Sequence, residues 1–168
     1  LSTMVFGITL PSFAMQSSEV LKVPYKITNC TELQSMNENL NGSYVLANDV
    51  DCTDTKTWDD GQGFLSIGTN SKPFTGNFNG QGHVISNLFI NRPSQSSTGL
   101  FGSVFGNGAN ISNLSLTHID ITGGNNVGGL AGVTSATQIG AVSNVTIAGK
   151  IQGNKYVGGL IGYAGNQV

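Results

Sequence analysis

The strongest constraint on this chain is a phrase that it writes three times at a fixed interval. Gly99-Leu100-Phe101-Gly102 returns as Gly129-Leu130-Ala131-Gly132 and again as Gly159-Leu160-Ile161-Gly162, each copy starting 30 residues after the last. A period of this size is the mark of a solenoid, in which one supersecondary unit buries its apolar side against its neighbours. A second phrase interleaves with the first: Ile85-Ser86-Asn87-Leu88, Ile111-Ser112-Asn113-Leu114 and Val142-Ser143-Asn144-Val145, at offsets of 26 and 31 residues. Each repeat is therefore expected to hold two short strands, one per phrase, joined by loops of varying length. Short β-branched strands bounded by Gly and Asn suit a coil that turns sharply several times.

The repeat assigns roles to its residues. Leu100, Leu130 and Leu160 are expected to stack as an inward ladder. Two residues away on the same side stand glycines, at 102, 128, 132, 158 and 162. They leave room for the leucines and for close approach of successive coils. Asn87, Asn113 and Asn144 are expected at turns, where Asn accepts the left-handed conformation and its amide can ladder from coil to coil.

Charged residues make up only 10% of the 168, while glycine contributes 24 positions. With 38% hydrophobic residues, this is not a disordered glycine-rich tract. A net charge of −2 leaves no electrostatic footprint for nucleic acid and no basic membrane patch. Neutral polar residues in this abundance fit an exported β-solenoid.

From the start, residues 1–14 (LSTMVFGITLPSFA) are uncharged and end in Ser12-Phe13-Ala14. They read as the remnant of a signal peptide cleaved after Ala14, the competing reading being a first strand. Nothing later is apolar enough to span a bilayer. Residues 15–26 read as a linker and 27–72 as an N-terminal cap with the first coil. Thr28 or Asn29 is expected to cap a helix running through Leu40, with Leu33, Met36 and Leu40 on one face. Tyr44-Val45-Leu46-Ala47 reads as a strand. Cys30 and Cys52 are the only cysteines. In an exported chain they are expected to form a disulfide across a loop of about 20 residues, contributing about 3 kcal/mol. Two buried free thiols are the competing reading, and no CxxC or nearby His supports a metal. Asp49, Asp51, Asp54, Asp59 and Asp60 allow a calcium site, but their spacing fits no calcium loop, and a solvated turn with Asp49 and Asp51 capping backbone amides is favoured. Residues 73–168 are the repeats, with Phe74 and Phe78 stacked inside.

PFTGNFNGQGHVISNL at residues 73–88, followed by GLFG, VGGLAG and VGGLIG, resembles the GLUG-motif proteins. Those repeats occur in bacterial surface adhesins similar to filamentous haemagglutinin, and ahead of the catalytic part of IgA-cleaving metallopeptidases. The lead-in LNGSYVLANDVDC and the later SIG share the resemblance, which covers residues 27–166. It implies a right-handed parallel β-helix, here with a short helix-containing N-terminal cap, and by itself no activity.

Polysaccharide-cleaving β-helices need clustered carboxylates. From Gly61 to Val168 the only acidic residue is Asp120, and the histidines are His83 and His118. Asp120 and His118 are two apart and could share a strand side, while His83 suits a turn. There is no HExxH and no GxSxG. The sequons at Asn29, Asn41, Asn110, Asn113 and Asn144 follow from composition. The chain therefore reads as a secreted or cell-surface, non-catalytic module without cofactor or metal. It would act as an adhesin, stalk or scaffold facing an extracellular glycan or a host or cell-surface protein. The alternative is part of a secreted enzyme: a polysaccharide lyase or hydrolase, or the region ahead of a metallopeptidase domain. Because no ISNL phrase follows Gly162, the last repeat reads as cut short, with continuation of the chain or end-to-end association expected there.

Overall fold

The computed structural model describes residues 23–165 apart from 107, 140 and 141. The signal-peptide reading of residues 1–14 lies outside the described residues. So does most of the linker reading, but Tyr25 and Lys26 are not linker. They form the first strand, β1 (Tyr25–Ile27), because Tyr25 pairs with Tyr44 and its ring packs 5.4 Å from that ring.

A short helix, α1 (Cys30–Ser35), follows. Asn29 caps it: its side chain accepts from the Glu32 N–H at 2.9 Å, and the Glu32 carboxylate reaches back to the Thr28 N–H at 2.7 Å. This reciprocal arrangement satisfies amide donors that a helix start leaves unpaired. The helix does not continue through Leu40. It tightens into a 3-10 turn over Met36–Glu38 and stops at Asn39, whose carbonyl accepts from the Tyr44 hydroxyl at 2.7 Å. Leu33 and Met36 are fully buried and Leu40 partly so.

The rest is strand. In order come β2 (Ser43–Leu46), β3 (Val50–Asp51), β4 (Asn77–Asn79), β5 (Val84–Ser86), β6 (Phe89–Arg92) and β7 (Phe101–Gly106). The last two coils hold β8 (Asn110–Gly123), β9 (Asn125–Gly128), β10 (Ala131–Ile139), β11 (Val142–Gln152), β12 (Lys155–Gly158) and β13 (Ile161–Ala164). Every named strand pair is parallel, and the whole is a parallel β-solenoid of about four turns. Because side chains alternate along a strand and coils lie in register, like residues stack. One inward column runs Tyr44, Phe78, Ile111, Val142. Others run Val50, Ile85, Leu116, Ile147, then Ile90, Ile121, Ile151, and Ile67, Phe101, Ala131, Ile161. Phe74 and Phe78 both pack on Phe101, at ring-centroid distances of 4.9 and 5.9 Å. One continuous core joins cap and repeats across the 72/73 boundary.

The register corrects one reading of the repeat. Val142-Ser143-Asn144-Val145 does lie on Ile111-Ser112-Asn113-Leu114. The first phrase does not: Ile85 pairs with Leu116 and Ser86 with Thr117, so Asn87 stands level with His118. The residues that stack on Ile111 and Ser112 are Phe78 and Asn79. From β2 onward, stacked strand partners lie 30 to 35 residues apart, and the 26-residue offset of the first two phrases falls short of that range.

Corners explain how one strand can be as long as β8. It bends at Asn113 and His118, both left-handed, with φ of 54° and 53°. Asn87 (59°) and Asn144 (52°) turn their own coils in the same way. A further corner column holds Ser97, Asn126 and Tyr156, with φ of 61°, 56° and 55°. Left-handed backbone suits Asn but is unfavourable for Tyr.

Candidate functional site

The repeat residues are the natural place to look first. Leu100 and Leu130 are fully buried, whereas Leu160, on the last described coil, is 38% exposed. The final glycine of each GLxG phrase is a slot for backbone. A Cβ at Gly132 would fall on the Ser97–Thr98 peptide, and one at Gly162 on the Asn126–Val127 peptide. At Gly102 it would fall on the Gly68 carbonyl. The first glycines are tight as well: a Cβ on Gly99 would lie 2.6 Å from the Gly128 carbonyl, and one on Gly129 at 2.6 Å from that of Gly159. These glycines let consecutive coils touch.

The asparagines form a ladder that starts at Asn79, in the same coil as the first copy of the phrase, and leaves out Asn87. The Asn113 amide donates to Asn79 at 3.1 Å, and that of Asn144 donates to Asn113 at 2.9 Å. Asn87 stands outside this ladder and donates to the Asp51 carboxylate at 2.9 Å. Beside the ladder lie outward rows of neutral side chains: Ser43, Asn77, Asn110; Asn79, Ser112, Ser143; Ser115, Thr146; Asn91, Thr122, Gln152.

The aspartates act on the backbone and on neighbouring coils. Asp49 accepts the Val84 N–H at 3.0 Å, with His83 Nδ1 3.1 Å away, and the Val84 amide chiefly holds its carboxyl below the usual range. Asp51 is lowered chiefly by the Asn87 amide, then by the Thr53 hydroxyl and N–H. Asp59 pairs with Arg92 at 2.7 Å. Among the described residues no three His, Cys, Asp or Glu converge as metal ligands. His118 and Asp120 do not combine: the left-handed corner at His118 interrupts the alternation, and Asp120 lies 3.9 Å from Lys150 instead. Cys30 and Cys52 are bonded, with 22 residues of separation, and tie α1 to the end of β3.

Sequence reasoning missed Arg92. It is 9% exposed, and its guanidinium donates to Asp59, Gln62, and the Gly63 and Phe64 carbonyls. It also missed the side chains that glue cap to coil. Gln34 donates to and accepts from the Leu65 backbone, at 2.8 Å each way, and Asn37 accepts the Gly68 N–H at 2.9 Å. The available signal was their spacing of 31 residues, one coil.

A parallel β-solenoid with a helical cap, held by glycine slots and an asparagine ladder, is the class this geometry defines. The chain belongs to the family described as the M26 IgA1-specific metallo-endopeptidase N-terminal region, which matches residues 22–149. That family describes a region of a metallo-endopeptidase other than its catalytic part. Halomucin of Haloquadratum walsbyi is 40% identical over 147 residues, covering 83% of this chain and 2% of that protein. An immunoglobulin A1 protease of Streptococcus sanguinis is 28% identical over 149 residues, covering 86% of this chain and 7% of the protease. The chain thus spans a small fraction of these relatives. A crystal structure assigned to an immunoglobulin A1 protease of Bacteroides ovatus shares the fold, with a TM-score of 0.52 at 19% identity over 84% of this chain and 62% of that one. No helix among the described residues is long and apolar enough to cross a membrane.

Proposed function

We propose that this chain is a non-catalytic scaffold module of an exported or cell-surface protein, built from GLUG-type repeats. The observation that carries this reading is the use made of the polar residues. Asn79, Asn113 and Asn144 spend their amides on one another, coil to coil. Arg92, Gln34 and Asn37 spend theirs on joining cap to coil. Such a body is stiff, and its neutral outward rows suit an extracellular glycan or a surface protein as partner, without charge steering. Membership of the family supports a second reading of the parent protein: a secreted metallopeptidase in which this region stands ahead of a catalytic domain.

The exposed apolar side chains of the last described coil suit association at that end. Tyr156, Val157, Leu160 and Tyr163 are 48, 46, 38 and 40% exposed along strand edges that a further parallel coil would cover. Incubation of the 168-residue protein with IgA1 and with a panel of polysaccharides tests the non-catalytic reading. Intact substrates are the expected result, and cleavage that is abolished by a chelator or by Asp120→Asn would overturn it. The coding sequence beyond both ends separates an adhesin from a peptidase arm, and light scattering that finds only monomer counts against end-to-end association.

A further inference from the structure

The cap carries a groove that none of these roles uses. It lies between the turn of chain Thr31–Glu38 and the loop bearing Trp58 and Leu65, and encloses about 580 Å³. Its walls are of two kinds. Trp58 is half-buried and stacked on Phe64, with centroids 6.4 Å apart and planes 24° from parallel, so its indole is held at a fixed angle. Leu65 beside it is 45% exposed. Thr31 and Glu38 also line the groove, and neither side chain has a hydrogen-bond or ion-pair partner among the described residues.

The same groove is closed to several ligand classes. An extended peptide cannot add as a strand, because Gln34 already occupies both the N–H and the C=O of Leu65. An anion finds no free cation, since the donors of Arg92 are committed to Asp59, Gln62, Gly63 and Phe64. What remains is an aromatic plane stacked on Phe64 that shares the groove with an unspent carboxylate and hydroxyl. That combination matches a ring with an apolar C–H face and hydroxyls at its rim. A second groove, of about 510 Å³, meets the first at Ser35 and Glu38 and is walled by Tyr25, itself 54% exposed.

We propose that the cap groove binds a neutral saccharide, one pyranose ring lying on the Trp58 indole with its hydroxyls donating to Glu38, and the chain running past Ser35 towards Tyr25. The site stands apart from the outward rows of the solenoid and from the number of coils. A failed test here leaves the scaffold reading untouched.

Trp58 is the single tryptophan of the chain, so its fluorescence reports on the groove directly. The probes are cellotriose, maltotriose, mannotriose and chitotriose, with trigalacturonate and tetralysine as charged comparisons. A saturable shift with at least one neutral trisaccharide is expected at millimolar concentration or below. Glu38→Ala should weaken it about fivefold or more, the effect of losing one charge-assisted hydrogen bond at an open site. Glu38→Gln, which keeps an acceptor, should weaken it less, and Lys155→Ala, on the last described coil, should leave it unchanged. Glu38 is exposed, so circular dichroism of both variants should match the parent protein. The proposal is overturned if no neutral probe moves the fluorescence, if Glu38→Ala binds as well as the parent, or if only tetralysine binds.

Discussion

Reducing the Cys30–Cys52 bond separates one contribution to stability from all others. The bond spans 22 residues. In the chain-entropy treatment, opening a loop of that size returns about 11 cal/mol/K to the unfolded chain, or about 3.4 kcal/mol at 25 °C. In a domain of this length each kcal/mol moves Tm by about 2–4 °C, so reduction should lower Tm by about 7–14 °C. The loss should also be local. Coils contact only their neighbours, and the bond holds α1 against the first coil, so amide protection should fall in α1 and β2 well before β10. The assay is thermal unfolding by circular dichroism with and without reductant, followed by hydrogen exchange on both forms. The double variant Cys30→Ala/Cys52→Ala should fall further than the reduced protein, because two buried sulfurs are removed from the packed core. A drop of less than about 3 °C on reduction would refute the loop-entropy argument. An even loss of protection across all coils would refute the locality argument.

Equivalent leucines should not be energetically equivalent. Leu100→Ala, at a fully buried position, should cost about 2–5 kcal/mol in a chemical-denaturation series, and Leu160→Ala, at 38% exposure, clearly less; equal costs would refute the assigned burial. Asn113 carries both a left-handed corner and two ladder bonds. Asn113→Gly keeps the corner, so it should be about 1 kcal/mol less damaging than Asn113→Ala in the same assay. Asp49 and Asp51 are held below the ordinary carboxylate range by the Val84 amide and the Asn87 side chain respectively. A lowered folded pKa adds stability that is present above the unfolded value and is lost as pH falls through the folded one. Acid unfolding below about pH 4 should therefore be blunted in Asp49→Asn and Asp51→Asn, and identical pH profiles for parent and variants would count against those bonds.

How much of this was legible in the residues depends on whether a contact repeats. The GLxG copies sit 30 apart and stack as written, because the glycine slot and the leucine recur in each of the three copies. The ISNL copies misled at one point. Sharing letters with 111–114 did not give 85–88 the same place; coil length did, and it set Asn87 beside His118. Nothing in the letters marked His118 as a corner, since the left-handed turn there is imposed by the coils on either side. The Arg92 cluster and the Gln34–Leu65 pair were invisible for a related reason. Each occurs once, joins residues about one coil apart, and leaves no repeated phrase. The helix overran in expectation because Leu33, Met36 and Leu40 have helical spacing, while the Tyr44 hydroxyl at the Asn39 carbonyl ends the turn from outside the window that spacing can see.

Parallel coils stacked in register also set how such a body answers to force. Its strands lie across the stacking direction, so a pull along that direction loads the hydrogen bonds of one junction at a time. The chain would yield by peeling, coil after coil. Each released coil of 30 residues adds about 100 Å of slack at about 3.4 Å per residue. The first coil behaves differently. The segment between Cys30 and Cys52 cannot pay out while the bond is closed, which withholds about 75 Å of length. A tether made this way would be a shock absorber with one locked coil.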